Sequence, residues 1–263
     1  MQDLDISLVQ FNPVWENKEE NIRRLDIILK DIKTDLIVLP EMFSTGFSMN
    51  ARQIAEPMSG STVVWMLELA VEKGCCVCGS IVITENGKYF NRLIWVNAFG
   101  VIKYYDKRHL FRMGDENLTY TAGNSRKIML CNGWRICPLI CYDLRFPVWS
   151  RNKVKFDSYD YDLLIYVACW PKKRAIHWKQ LLISRAIENQ AYVLGVNRVG
   201  TDGNDVEYLG DSTIINHLGE TMTSNSGDEA ILKATLSKQN LRFYRKSFPV
   251  WRDVDNFEFI PRN

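Results

Sequence analysis

Arg135-Ile136-Cys137-Pro138-Leu139-Ile140-Cys141-Tyr142-Asp143-Leu144-Arg145-Phe146-Pro147 is an apolar run that changes character at one cysteine. Ile136 to Ile140 has the composition of a buried strand. From Tyr142 onward the residues read as the first turn of a helix, with Asp143 suited to that turn and Pro147 placed to end or kink it. A side chain at such a junction is pushed up and out, while the next backbone N–H groups stay unpaired and point toward it. Those N–H groups, with the partial positive charge of a helix start, favour a thiolate and later an oxyanion. Cys141 is therefore a candidate nucleophile. The competing reading is a small buried residue closing a core strand, since free cysteine is among the most buried residue types.

Outward from this stretch, strand and helix patterns alternate, which predicts an α/β fold. Asp5 to Gln10 reads as a strand, and a helical stripe follows from Asn17 through Ile22, Leu25, Ile28, Leu29 and Ile32. Leu36 to Leu39 is wholly apolar, as in a strand covered on both faces, and stops at Pro40-Glu41. Met42 to Phe47 is too rich in turn formers for a regular element. Ser59 to Thr62 starts a second helix that Gly74 ends. Val77–Ile83 and Tyr89–Asn97 are strands joined at Asn86-Gly87, a hairpin pair, and Val101–Tyr105 is another. Asp106 to Ser125 is a long aperiodic segment, a kind that is more often functional than not.

Beyond Cys141, Asp162 to Ala168 is a buried strand ending at Cys169-Trp170-Pro171. A third helix spans about Arg174 to Gln190, with Ile176, Leu181, Leu182, Ala186 and Ile187 as its apolar stripe. Strands at Tyr192–Asn197, Tyr208–Asn216 and Ala230–Ala234 follow, then a helix within Leu236–Lys246 and an irregular tail. No linker, repeat or low-complexity run divides residues 1–263, so a single domain is expected. Three apolar strands give way at once to Glu41, Cys141 and Trp170. Ligands in open α/β sheets sit beyond such carboxyl ends, so the three predict one pocket.

Bulk composition narrows the function. The formal net charge of +2 leaves no basic footprint for nucleic acid or an anionic membrane, and no apolar stretch approaches a bilayer span. The first residues lack a signal peptide's basic and apolar regions, and seven cysteines is an odd number. Reduced thiols in the cytoplasm are expected. Cys75-Cys76-Val77-Cys78 lacks a second cysteine pair or spaced histidines to complete a zinc site, so strand packing is the expectation and no metal is.

Several separated motifs together resemble the nitrilase superfamily of carbon–nitrogen hydrolases. They are Pro40-Glu41-Met42-Phe43, Asp106-Lys107-Arg108-His109-Leu110-Phe111, Cys141-Tyr142-Asp143-Leu144-Arg145-Phe146-Pro147, Cys169-Trp170-Pro171, Arg185-Ala186-Ile187-Glu188-Asn189 and Gly210-Asp211-Ser212 with Gly219. Pro40 to Met49 is similar to the omega-amidase branch, whose members hydrolyse 2-oxoglutaramate and 2-oxosuccinamate. The resemblance implies a four-layer α-β-β-α sandwich and a homodimer packed through helical faces, with the tail from about residue 247 reaching over the partner. It implies no cofactor. Two departures are Cys169, where the family often has Asn, and the absence of a common Pro near His217. Both bear on substrate shape, since neither touches the three chemical residues.

The chemistry then has named carriers. A neutral thiol needs a base, so Glu41 would take the Cys141 proton and later hand it to departing ammonia. Lys107 and the Tyr142 backbone N–H would hold the oxyanion, and the resemblance adds Glu116 as a second acid. Each has a plain rival: a helix-start carboxylate, a solvated lysine beside Arg108, a solvent-facing acid. Their joint occurrence in family order favours the active reading. His109 invites a Cys–His pair, but its place two residues past Lys107 suits an orienting role. Phe43, Phe47 and Trp170 would wall the pocket. A substrate carboxylate would need a cation from Arg145, Lys172, Lys173 or Arg174, although Arg145 has a competing role in bracing the turn through Asp143. The expected activity is release of ammonia from a small 2-oxo-acid amide. Alternatives are an N-carbamoyl compound, an aliphatic amide, a nitrile, or a silent relative that only binds a carboxylate.

Overall fold

Residues 2–155, 158–255 and 257–258 are described by the computed structural model of the chain. The first half runs β1 (Leu4–Gln10), α1 (Lys18–Leu29), β2 (Leu36–Val38), α2 (Ala51–Ile54), α3 (Ser61–Lys73), β3 (Cys76–Glu85), β4 (Lys88–Val96), β5 (Ile102–Asp106) and α4 (Glu116–Thr119). The second half runs β6 (Met129–Cys131), β7 (Trp134–Ile140), α5 (Pro147–Ser150), β8 (Val154–Lys155), β9 (Ser158–Tyr159), β10 (Leu163–Ala168) and α6 (Ala175–Asn189). It continues with β11 (Tyr192–Asn197), β12 (Val199–Thr201), β13 (Glu207–Ile215), β14 (Thr221–Ser226), β15 (Ala230–Leu236) and α7 (Lys238–Ser247).

Two sheets result. One has the order β15-β1-β2-β3-β4-β5 and the other β12-β13-β11-β10-β7-β6, with β14 on β13. The strands that carry Glu41 and Cys141 at their ends lie in parallel stretches, β1–β2–β3 and β7–β10–β11. Alternation along the first sheet divides its faces. Ile6, Leu8, Leu36, Val38, Cys78 and Trp95 meet the second sheet, while Val9, Ile37, Val77 and Ile94 meet Leu25 and Leu29 of α1 and Val63 and Met66 of α3. On the far side α6 covers the second sheet with Trp178, Leu182 and Ala186. The layers are α-β-β-α, and one apolar cluster runs from the space between the sheets through the second sheet to α6.

Local chemistry fixes the connections. Asn86 and Gly87 both take positive φ, 51° and 71°, the pair of left-handed residues that closes a tight hairpin. Gly74 caps α3 at φ 63°, so the helix stops where the strand must begin.

Three expectations change. The turn after Cys141 is a 3-10 turn over Cys141–Arg145, and Pro147 opens the separate short α5, where its missing N–H costs nothing. Helix α6 is rotated from the expected stripe: Ile176 and Ile187 are 61% and 51% exposed. The reason is Trp178, whose indole lies over Gly195 and donates to the Asp211 carbonyl at 2.9 Å, so the Trp178 side becomes the inner face. Strand β14 has one apolar residue, the exposed Met222, and pairs only with the edge of β13, hence it carries no apolar alternation to read. The tail expected to reach a partner forms a 3-10 turn at Val250–Asp253, and its last residues, 259–263, lie outside the described residues. Among the described residues no helix is long and apolar enough to cross a membrane.

Candidate active site

Each key side chain is delivered by a strand end. β2 ends at Val38, Leu39 and Pro40 follow, and Met42 turns the chain at φ 43°, anchored by its N–H to Ser80 Oγ at 2.9 Å; this aims Glu41 inward. β5 ends at Asp106, and the Lys107 N–H still bonds the Asn91 carbonyl at 3.0 Å, which sends the Lys107 side chain to the same interior. β7 ends at Ile140, and Cys141 sits in the left-handed region at φ 43°. That conformation costs roughly 1 kcal/mol for a residue with a Cβ, so the surrounding contacts must impose it. Asp143 does so by accepting the Ile140 N–H at 3.1 Å, the Tyr105 hydroxyl at 2.7 Å, and the N–H and ring Nδ1 of His109 at 3.0 and 2.7 Å.

At the centre Lys107 Nζ donates to Glu41 Oε1 at 2.8 Å and to Glu116 Oε1 and Oε2 at 3.0 and 2.9 Å. All three side chains are buried, so the ammonium has all its protons on carboxylates. Glu41 Oε2 also accepts the Cys169 N–H at 2.7 Å, and Glu116 Oε2 the Phe111 N–H at 2.6 Å. Burial disfavours the Lys107 ammonium, but Glu116 and Glu41 outweigh it and hold its pKa well above the ordinary amine value. Burial pushes Glu116 up, only partly offset by Lys107.

Burial also pushes the Cys141 thiol well above its ordinary value, helped by the negative Glu41, and Lys107 does not compensate. A thiol held up in this way agrees with the expectation that Cys141 needs a base. The turn is a short 3-10 turn, and desolvation by burial dominates. Nucleophilic chemistry at this sulfur needs a proton acceptor at hand. The Glu41 carboxylate is that neighbour.

A cavity of about 290 Å³ opens over these groups. Lys107, Cys141 and Cys169 lie in its wall, together with Phe47, Phe111, Tyr142 and Trp170. Arg145, Lys173 and Arg174 line it as cations, and Asp202 and Tyr208 close another side. Arg145 stacks over Trp170 at 4.8 Å and Arg174 over Phe111 at 5.2 Å.

The carbon–nitrogen hydrolase family pattern matches residues 5–246. The chain belongs to this family. Among relatives of this carbon–nitrogen hydrolase, the omega-amidase YafV of Escherichia coli (strain K12) is 48% identical over 260 residues, covering 98% of this chain and 99% of that protein. The 2-oxoglutaramate amidase of Bacillus subtilis (strain 168) is 35% identical over 254 residues, 95% and 96% of the two chains. A crystal structure of a CN-hydrolase superfamily protein of Xanthomonas campestris, with an arsenic adduct in its active site, superposes with a TM-score of 0.96. That chain is 43% identical, with 98% and 100% of the two chains covered.

Of the residues singled out in the hydrolase's sequence, Glu41, Lys107, Glu116 and Cys141 come together, and Tyr142, Phe47, Arg145, Trp170 and Arg174 line the cavity above them. Phe43 does not reach it. Its ring is fully buried on the other face of the first sheet, 5.9 Å from Trp65, because side chains one residue either side of Met42 point to opposite layers. Lys172 is also outside, paired at the surface with Glu207 at 2.9 Å. Arg145 does not pair with Asp143, whose oxygens are taken by Tyr105, His109 and Ile140; instead it meets His177 Nδ1 at 2.9 Å. His109 stacks on Phe146 at 3.8 Å and serves Asp143, away from the sulfur. Arg185 pairs with Glu188 at 3.0 Å and donates to the Leu144 carbonyl at 2.6 Å, bracing the turn from α6. Cys75, Cys76 and Cys78 are packed in strand and core positions.

Asn91, Tyr105 and Phe111 were not foreseen. The legible signal was a buried strand, β4, interrupted by Asn91-Arg92. Arg92 has an ion-pair partner across the sheet in Asp106 at 2.6 Å, but nothing in the sequence assigns one to Asn91.

Proposed function

We propose that the chain is an omega-amidase that releases ammonia from a small 2-oxo-acid amide through a cysteinyl thioester. Cys141 Sγ attacks the amide carbonyl carbon as its proton passes to Glu41. The carbonyl oxygen becomes an oxyanion facing Lys107 Nζ and the Tyr142 N–H. Because every Lys107 proton is held by a carboxylate at rest, protonation of Glu41 weakens one of those holds as charge appears on the oxygen. The tetrahedral species then expels ammonia, which takes the proton back from Glu41. A water, deprotonated by Glu41, hydrolyses the thioester and restores the thiol. Glu116 keeps Lys107 charged and fixed throughout.

The observation that carries the substrate reading is the pair of guanidinium groups, Arg145 and Arg174, in the cavity wall. Burial and the charge of Arg174 lower the Arg145 pKa, so an anion between them relieves both. The relatives named omega-amidase and 2-oxoglutaramate amidase point the same way. The test is kcat/KM for 2-oxoglutaramate against a neutral amide of equal length, in the wild type, Arg145→Met and Arg174→Met. KM for the keto-acid amide should rise roughly tenfold or more in the responsible variant, with kcat less affected, because a charged hydrogen bond is made before and during reaction alike. A wild type that prefers the neutral amide refutes the substrate and leaves the thiol amidohydrolase standing.

We also propose that residues 1–263 act as one domain in a cytoplasmic homodimer. All seven cysteines are free thiols, which suits a reducing compartment. Ile176 and Ile187 are exposed on α6, as is Val148 on α5, and a helical dimer face would cover them.

A further inference from the structure

Asn91 stands beside the carboxylates on β4 and is fully buried. Both of its amide protons are committed: Nδ2 donates to Glu41 Oε1 at 2.8 Å and to Glu116 Oε1 at 3.0 Å. Its Oδ1 has no hydrogen-bond partner among the described residues. A buried acceptor left unpaired is costly, and an asparagine kept only for packing would be free to turn over. Turning it here would set its oxygen against two carboxylate oxygens. The amide is thus oriented entirely by the two acids.

The charge balance shows what it does. Two buried carboxylates share one ammonium, so their charge is not balanced by Lys107 alone. A second cation would settle that charge but make Glu41 a poor base. An uncharged donor stabilises the anions while leaving the base able to accept a proton. The Asn91 backbone carbonyl also receives the Lys107 N–H, so a single residue sets the positions of all three charged groups.

We propose that Asn91 is a positioning residue whose amide holds the Glu41 and Glu116 carboxylates in place beside Lys107 and favours their anionic forms; the proposal rests on Glu41 being the proton acceptor of the reaction. Its test is the pH dependence of kcat/KM for ammonia release by Asn91→Leu and Asn91→Asp. The leucine variant removes both donors at similar volume. Proton uptake by the carboxylates becomes easier, so the acid limb of the profile should move up by about 1 pH unit or more, as expected from hydrogen bonds to charged groups. The aspartate variant keeps the shape and adds a third acid, so its limb should move further in the same direction. If Asn91→Leu does not fold, Asn91→Ala takes its place, with the same upward shift of the acid limb expected and an unmoved limb overturning the proposal. A lowered kcat with an unmoved acid limb in the variants would mean packing alone and overturn the proposal, as would an unchanged profile. The wild type and Glu41→Gln run in parallel: if Glu41→Gln keeps near-normal kcat, the base assignment has failed, which is a different result from an unmoved limb at Asn91.

Discussion

Replacing Lys107 by methionine keeps its length and removes its charge. The structure then leaves Glu41 and Glu116 facing each other, both buried, without the three hydrogen bonds of 2.8–3.0 Å that now separate them. Removing one partner of a buried ion pair costs about 3–5 kcal/mol. For a chain of this size that is a fall in Tm of roughly 6–20 °C. The loss should also depend on pH. Without the cation one carboxyl retains its proton in the folded protein above the pH at which it would lose it unfolded. Such a group favours folding at low pH, and the contribution drains away by about 1.4 kcal/mol per unit as pH rises toward its folded pKa. The variant should therefore lie closer to wild type at pH 5 than at pH 8. In the wild type, the Lys107 contribution is complete at both, because its pKa is raised and both values lie far below it. Calorimetry at the two pH values tests the stability, and ammonia release tests the oxyanion role, where kcat should drop by at least ~10². A variant whose Tm matches wild type at pH 5 and pH 8, with kcat within tenfold, would refute the reasoning.

Cys141→Ala should abolish hydrolysis at nearly unchanged Tm, since alanine bears the same left-handed penalty as cysteine at φ 43°. Iodoacetamide should alkylate Cys141 before the other six thiols, at a rate that climbs through the alkaline range because burial pushes the thiol pKa up; mass spectrometry finding another cysteine labelled first contradicts this. Asp143→Asn should cost roughly 2 kcal/mol and lower kcat, because an amide cannot accept from Ile140, Tyr105 and His109 as the carboxylate does. Unaltered denaturant midpoint and turnover would show that the turn does not depend on it.

The fold was legible where both faces of an element are covered. Leu36 to Val38 and Leu163 to Ala168 are continuous apolar runs because sheets and helices close over them. Glu41, Lys107 and Cys141 were legible because each interrupts such a run or follows a strand end. What the sequence hid were relations set by partners distant in the chain. Ile176 and Ile187 fit a helical stripe as well as Trp178 does, and only Gly195 across the layer decides which side turns inward. Phe43 and Phe47 look alike on either side of Thr45, yet one enters the helix layer and the other the cavity. Asn91 has no motif at all. Its meaning lies in two acids 50 and 25 residues away. The burial that raises the Cys141 thiol is hidden for a related reason, since a strand-to-turn junction can be read locally and desolvation cannot.

Glu41, Lys107 and Glu116 belong to the half built on β2 and β5, while Cys141 and Cys169 belong to the half built on β7 and β10. The proposed catalytic set is complete in neither half. Turnover therefore reports the docking of the halves, and a partly folded chain that keeps one sheet should be silent. In a urea titration, ammonia release should disappear at the midpoint of the near-ultraviolet signal from Trp95 and Trp134, both buried in the cluster between the sheets. Such an enzyme carries its own quality control: every substitution that loosens the seam is felt as lost chemistry before it is felt as lost protein.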